Sequence, residues 1–254
     1  MLLTDGSPNT TEDLRVYESA ILEVAHTEAI DLEAKLGLAT EEVSEDVLDV
    51  LLDHSSASDP QGLTRRTLDV SDVVVSRQLK RWHAVHTLET VYRDAFNNQL
   101  NDRYQAKFEE YQELSRNARA HALRFGIGLV LHPIPKAGAP LVSLVAADAP
   151  AAVYYLQTSW TSGTQEGAPS AVTTSEATEG TVPAVSGQNA PAGATGFNVY
   201  VGIAADALML QTQIPIAVGG TFTLANTGVA AGRAPGDGQP ADVFVVGGPT
   251  LRRG

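Results

Sequence analysis

The stretch His132-Pro133-Ile134-Pro135-Lys136-Ala137-Gly138-Ala139-Pro140-Leu141 divides the chain into two unlike texts. Upstream the sequence is charged and written in helical periods. Downstream charge almost vanishes, and short β-rich runs alternate with Gly, Pro, Ser and Thr. The expected fold class is therefore α + β multidomain: an α-helical bundle over residues 1–135, a β-sandwich over 138–226 and an extended, flexible C-terminal arm over 227–254. At 254 residues the chain is long enough for two domains that each bury a core without staples.

Upstream, Thr10-Thr11-Glu12-Asp13 offers hydroxyl N-caps followed by two acids, the signature of a helix start. Leu14, Tyr17, Ile21, Val24, Ala25, Ala29, Leu32 and Leu36 then recur at three- to four-residue steps, predicting one helix of roughly seven turns stopped by Gly37. Thr40-Glu41-Glu42 predicts a second helix with Val43, Val47, Val50 and Leu51 inward, ending near His54. Its outer face is Glu41, Glu42, Glu45, Asp46, Asp49 and Asp53, with no lysine or arginine spaced to pair with them. A third helix is expected from Ser71-Asp72 through Val74, Val75, Leu79, Trp82, Val85, Leu88 and Tyr92.

Tyr92, Phe96, Leu100, Tyr104 and Phe108 follow at constant four-residue spacing, which over-rotates by about 40° per step on a regular helix. Either this helix touches different neighbours along its length, or it breaks at Asn97-Asn98…Asn101-Asp102, where poor helix formers cluster. The break is favoured, with a fourth helix running from about Asn101 towards Phe125 and ended by Gly126 and Gly128.

The run from Lys80-Arg81-Trp82-His83 to Tyr92-Arg93-Asp94, followed by Asn101-Asp102-Arg103-Tyr104 to Glu110-Tyr111, resembles the helical core of tailed-phage head-to-tail connector proteins, or adaptors, over about 45 residues. The resemblance implies a ring subunit, a dodecamer by family pattern, that joins the portal protein to a tail or nozzle protein in the virion neck. It also implies no catalytic site, and genomic DNA passing through the channel without sequence-specific binding.

Downstream, the segments starting at Leu141, Val153, Ala171, Thr181, Phe197, Leu208 and Thr221 are strand candidates, seven in about 85 residues. Phe197, Val199 and Val201 against Asn198 and Tyr200 keep the two-residue period of a half-buried strand, and Trp160 reads as a core anchor. Tyr155 to Ser170 and Pro191-Ala192-Gly193-Ala194-Thr195-Gly196-Phe197-Asn198-Val199-Tyr200-Val201 resemble fibronectin type III modules of phage virion proteins. That resemblance implies a fibronectin III/immunoglobulin-like sandwich, a fold that decides no activity by itself. From Ala225 to Pro240 the chain is rich in Gly, Ala and Pro and reads as a loose arm. Asp242-Val243-Phe244-Val245-Val246 is of strand quality and suits addition to a partner's sheet or a wedge between subunits, or else a frayed tail or a last strand on the chain's own sandwich.

Residues 1–59 hold 15 acidic and 2 basic side chains, and residues 60–139 hold 8 and 12, so the net charge of -13 conceals a split of -13 against +4. A strongly acidic segment repels nucleic acid phosphates. The charge split suggests that Glu41, Glu45 and Asp49 on one surface and Arg65, Arg66, Arg77, Lys80 and Arg81 on another are opposed faces of a subunit or portal interface, with Phe244 as a further contact.

Chemistry-bearing motifs are missing. Cysteine is absent, which removes thiolate zinc sites and Cys nucleophiles. His83, His86 and Glu89 stand at three-residue steps that drift by about 60° around a helix, so they read as bundle residues and not as a metal set. No nucleophile elbow, Walker loop or dinucleotide fingerprint occurs, so neither an enzyme nor a cofactor is expected. The sequon Asn9-Thr10-Thr11 carries no weight without a secretion signal, and no apolar run reaches a membrane span. The expectation is a soluble virion structural protein made in the host cytoplasm. The rival expectation is a capsid or tail decoration protein whose sandwich binds surface carbohydrate through exposed tyrosines and Trp160.

Overall fold

A computed structural model describes residues 1–55, 68–98 and 102–246. The chain is helical in its N-terminal half and built of antiparallel sheets in its C-terminal half. It divides into two compact units, a β unit of Met1–Asp5 with His132–Pro240 and a helical unit of Gly6–Leu131 with the segment from Ala241 onward. The changeover falls at Leu131/His132, inside the stretch that separates the two texts of the sequence. The first five residues, expected in the bundle, belong instead to the β unit.

In the helical unit, α1 (Thr11–Tyr17) starts at the expected cap: the Thr10 hydroxyl accepts from the Asp13 amide while the Asp13 carboxylate accepts from the Thr10 amide. The predicted single long helix is three pieces. α1 stops where Glu18 turns extended, and α2 (Ile21–Thr27) stops before Ala29, which takes the left-handed conformation (φ 54°) usually reserved for glycine. Asp31 then caps α3 (Leu32–Ser55), its Oδ1 accepting from the Glu33 and Ala34 amides. α3 runs through Gly37 and Thr40 without a stop, and Thr40 bonds back to the Leu36 carbonyl. Leu14, Ile21, Val24, Ala25, Leu32 and Leu36 all reach one core despite the breaks, because short helices that turn can still present one apolar face each.

A 3-10 turn (Val70–Asp72) capped by Asp69 leads into a strand, β1 (Val73–Val74), where the β-branched Val73 and Val74 favour extension over the predicted helix. α4 (Arg77–Asn98) is the central helix. Trp82, His83, Ala84, Val85, Thr87, Leu88, Thr90, Val91 and Tyr92 are buried around its whole circumference. It ends at Asn98 as expected. After a 3-10 turn (Asp102–Tyr104), α5 (Gln105–Phe125) folds back along it and is closed by Gly126. The evenly spaced aromatics meet across this hairpin. Tyr92 stacks on Tyr111 with centroids 5.3 Å apart, and Phe96 faces Phe108 at 6.1 Å. β2 (Ile127–Leu129) pairs antiparallel with β1.

In the β unit, β3 (Leu141–Ala146), β7 (Thr181–Ser186) and β11 (Phe222–Thr223) form one antiparallel sheet, with β7 in the centre. The other is built on the pair β4 (Ala152–Ser162) and β8 (Gly196–Gly202), in register from Tyr155–Gly202 to Thr161–Gly196. β5 (Gln165–Glu166) and β6 (Thr173–Ala177) flank β4, while β9 (Met209–Leu210) and β10 (Ile216–Ala217) flank β8. The chain changes sheet between β3 and β4, between β6 and β7, between β7 and β8, and between β10 and β11. Alternate residues therefore point into one core: Tyr154, Leu156 and Trp160 from one sheet's strand, Phe197, Val199 and Val201 from its neighbour, Val182 and Val185 from the facing sheet.

The stretch 227–240 is not a loose arm. It lies against the outer side of β8 and β9: Leu210 N–H donates to the Arg233 carbonyl (2.9 Å), and the Gln211 side chain exchanges two hydrogen bonds with Ala230. Gly232 makes the approach possible, since a Cβ there would sit 2.3 Å from the Leu210 carbonyl oxygen. The glycines that read as flexibility allow close contact instead.

The chain ends its described part with β12 (Val243–Val245), which completes the three-stranded sheet of the helical unit by pairing with β2. Pairing with β2 is none of the fates the sequence suggested for this segment. Asp242 anchors it, its amide donating to the Leu129 carbonyl (2.8 Å) and its carboxylate accepting from Leu131 N–H (2.9 Å). Gly128 leaves the room: a Cβ there would lie 2.8 Å from the Ala241 Cβ and 3.3 Å from the Phe244 ring. Gly128→Val is therefore expected to overpack this contact by about 1–3 kcal/mol and to speed amide exchange of Val243–Val245 while α4 stays protected. Unchanged exchange in β12 would mean that the glycine is not what seats the strand.

Candidate functional site

The helical unit carries an open cleft of about 610 Å³ lined by Tyr17, Arg77, Gln78, Arg81, Leu114, Asn117, Ala118 and His121. Its geometry follows from helix periodicity. Arg77 and Arg81 stand one turn apart on α4, and Asn117 and His121 one turn apart on α5, so two pairs of hydrogen-bond donors face each other across a floor of Leu114 and Ala118. Tyr17, the last residue of α1, closes one side and is 44 % exposed.

Charge in the cleft is uncompensated. Among the described residues, neither Arg77 nor Arg81 forms an ion pair or a side-chain hydrogen bond, and no carboxylate lines the cleft. Most other cations of the helical unit are spoken for. Lys80, grouped with them in the sequence, turns to Asp13 at 3.1 Å; Lys35 binds Asp94, and Lys107 binds Glu18 at 2.9 Å. Arg65 and Arg66 lie outside the described residues. Two exposed arginines without a pairing group among the described residues give the concavity the chemistry to take an anionic group.

On α3 the acidic face splits in two. No lysine or arginine is spaced along the helix to pair with these acids, and the inner edge finds its partners on other helices: Asp46 receives a two-pronged contact from Arg119 at 2.8 Å, and Glu42 meets His86 at 2.6 Å. Glu41, Glu45 and Asp49 form the outer edge, exposed and at four-residue steps. Phe244 is 58 % exposed on β12, one side of its ring resting on Gly128.

The two histidines of α4 do different work. His83 is fully buried. Its Nδ1 accepts from the Asn9 side-chain amide (2.9 Å), which fixes the proton on Nε2, where it faces Thr40 Oγ1 (2.9 Å) and the Leu36 carbonyl (3.2 Å). Burial, with a smaller contribution from His86, pulls its pKa down to about 4 against the pull of the Leu36 carbonyl. His86 lies between Glu42, Glu89 and Ser115 and so ties α3, α4 and α5 together. Burial pushes its pKa down, but the two carboxylates outweigh that and raise it. These two rings and Glu89 do not converge, and no group of three metal-ligating side chains occurs among the described residues.

The β unit holds a second polar cluster on the outer side of β4 and β8. Glu166 accepts from Ser159 and from the Tyr200 hydroxyl (2.6 Å) and pairs with Arg233, whose guanidinium lies 5.5 Å from the centre of the Tyr200 ring. Burial pushes the Glu166 carboxyl up, yet hydrogen bonds from Ser159, Tyr200, Asn198 and Arg233 outweigh it and hold the group below the usual range. Every polar partner is used inward, so the cluster fastens the 227–240 stretch to the sheet. Of the residues expected in a sugar platform, Trp160 is 3 % exposed against Phe197; among the tyrosines of the β unit Tyr154 and Tyr200 are buried and Tyr155 is half-buried.

Sequence reasoning found Arg77 and Arg81 but not their companions Tyr17, Asn117 and His121. The i, i+4 spacing of Asn117 and His121 was visible, but no sequence signal says that it faces the arginine pair. No protein-family model, curated protein or solved structure matches the chain.

Proposed function

We propose that the chain is a structural subunit of a tailed-phage virion, an adaptor that assembles as a closed ring between the portal and the tail. The observation that carries this reading is the uncompensated charge of opposite sign on the helical unit: the exposed row Glu41, Glu45 and Asp49 on α3, and the unpaired Arg77 and Arg81 in the cleft. A subunit that pairs Lys35, Lys80, Lys107 and Arg119 internally and still keeps two charged surfaces of opposite sign is suited to bind other protein copies through unlike faces, the arrangement that closes rings. Two antiparallel sheets, between which the chain crosses at β3–β4, β6–β7, β7–β8 and β10–β11, support the fibronectin III/immunoglobulin-like reading of the β unit. The decoration reading has less support because Trp160, the one residue named for its platform, is buried.

Native mass spectrometry of the purified chain, alone and with the portal of the same particle, tests the proposal. The expected result is one discrete multiple of the subunit mass in at least one of the two samples, and density for the chain at the capsid–tail junction. A monomer in both samples, or particles in which the chain lies elsewhere, overturns the adaptor reading.

A further inference from the structure

We infer that the cleft at Arg77 and Arg81 is a socket for the Glu41, Glu45 and Asp49 row of a second copy of this chain, so that copies join head to tail. The inference rests on the assembly reading above and names the partner of that site. Three observations carry it.

The first is spacing. α3 passes unbroken through Gly37 and Thr40, so Glu41, Glu45 and Asp49 share one helix face at four-residue steps. Arg77 and Arg81 repeat that step on α4. Two carboxylates one turn apart therefore match two guanidinium groups one turn apart, each of which can take a carboxylate in a two-pronged contact.

The second is availability. The neighbouring acids Glu42 and Asp46 are held by His86 and Arg119, and Lys80 is held by Asp13. Among the described residues, Glu41, Glu45, Arg77 and Arg81 make no ion pair, and Asp49 adds only to the field at Arg119. What remains open on each face is the set that fits the other.

The third is placement. Arg119 of α5 faces α3, whereas Asn117 and His121, two residues to either side of it, line the cleft. Two residues are about 200° of helix rotation, so the acidic row and the socket lie on opposite sides of α5. One copy cannot satisfy both within itself. A contact between unlike faces on opposite sides propagates from copy to copy, and closes only where the rotation between copies allows a ring. Asn117, His121 and Tyr17 supply the remaining donors and the wall around the incoming carboxylates.

Charge exchange tests this. Variant one carries R77E and R81E, and variant two carries E41R, E45R and D49R. All five side chains are exposed, and helical circular dichroism with an unchanged melting curve checks that each variant folds. In sedimentation velocity, each variant alone is expected to self-associate at least about tenfold more weakly than the unaltered chain, whose association weakens with added salt. An equimolar mixture, in which each acidic face again meets a basic one, is expected to return to within about threefold of the unaltered chain. Failure of the mixture to recover, or a single variant that associates normally, overturns the socket. If rings persist in both variants, the adaptor reading stands and only the pairing is lost. An unaltered chain that stays monomeric overturns the pairing as well, and leaves the adaptor reading to the portal experiment. Inorganic phosphate serves as the competing arm. A shift in the melting curve of the unaltered chain with phosphate, absent with chloride at equal ionic strength and absent in variant one, combined with no self-association, assigns the cleft to a small anion and overturns the socket.

Discussion

Trp160→Ala is expected to remove about 4 kcal/mol from the β unit, a large share of the total stability of a domain this size. Trp160 is 3 % exposed and sits at the middle of the sandwich, edge-on to Phe197 with ring centroids 5.9 Å apart, on the strand pair that forms the long register of the sheet. Truncation loses the burial of the indole and leaves a hole between two sheets whose strands are hydrogen-bonded in place and cannot collapse into it. The chain has two tryptophans, and the other, Trp82, lies in the helical unit. Urea unfolding of the variant can therefore be followed for the two units separately, by Trp82 fluorescence for the helices and by β-sheet circular dichroism for the sandwich. The expected outcome is a collapse of the β transition with the Trp82 transition in place. A variant with an unshifted β midpoint would show that the indole is not a core anchor.

Acidification is expected to weaken the helical unit through His83. Its pKa falls from 6.5 in the unfolded chain to about 4 when folded, so between those values the unfolded state binds more protons than the native one. The stabilisation by neutral His83 is complete above pH 6.5 and is lost progressively as the pH drops to about 4; 2.5 units correspond to about 3 kcal/mol. His86, three residues on, acts in the opposite sense. Its pKa is raised, so its contribution is complete below 6.5 and lost as pH rises through its elevated value. Asp13, Glu18 and Glu89 sit below the ordinary carboxylate range and give up their contributions at lower pH than His83 does. His83→Gln removes the titrating group while keeping a donor and an acceptor near Asn9 and Thr40. Urea midpoints of the helical transition, read by helical circular dichroism between pH 4 and 7, should slope steeply in the unaltered chain and much less in the variant. Equal slopes would assign the acid loss to other groups.

These expectations draw on features of unequal legibility. The N-cap at Thr10, the break after Asn98 and the stop at Gly126 were readable because each depends on neighbours in sequence: a hydroxyl before acids, a cluster of poor helix formers, a residue without a Cβ. The stop at Ala29 was not. Alanine is the best of helix formers, and it is held left-handed here because the turn between α2 and α3 demands it. Gly37 misled in the opposite direction, since a single glycine costs a helix only about 1 kcal/mol and the packing of Leu36 and Val43 outweighs that. The glycines at 128 and 232 have the composition of a linker, yet each is a contact point against a strand far away in sequence.

The candidate site divides along the same line. Arg77, Arg81, Glu41, Glu45 and Asp49 could be picked out as charges, but not Lys80 as a residue already engaged, nor Glu42 and Asp46 as acids already neutralised. Those facts depend on Asp13, His86 and Arg119, which lie 67, 44 and 73 residues from their partners.

By itself the sequence determined that one half of this protein is helical and the other built of strands, and where the text changes, because hydrophobic period and charge density are local quantities written residue by residue. Only the tertiary structure decided that β12 returns to the helical unit, that the supposed arm is fastened down through Arg233, and that Arg77 and Arg81 share a cleft with Asn117 and His121 and find no pairing group among the described residues. Ion pairing, burial and close backbone approach are relations between residues distant in the chain, and they exist only once the chain is folded.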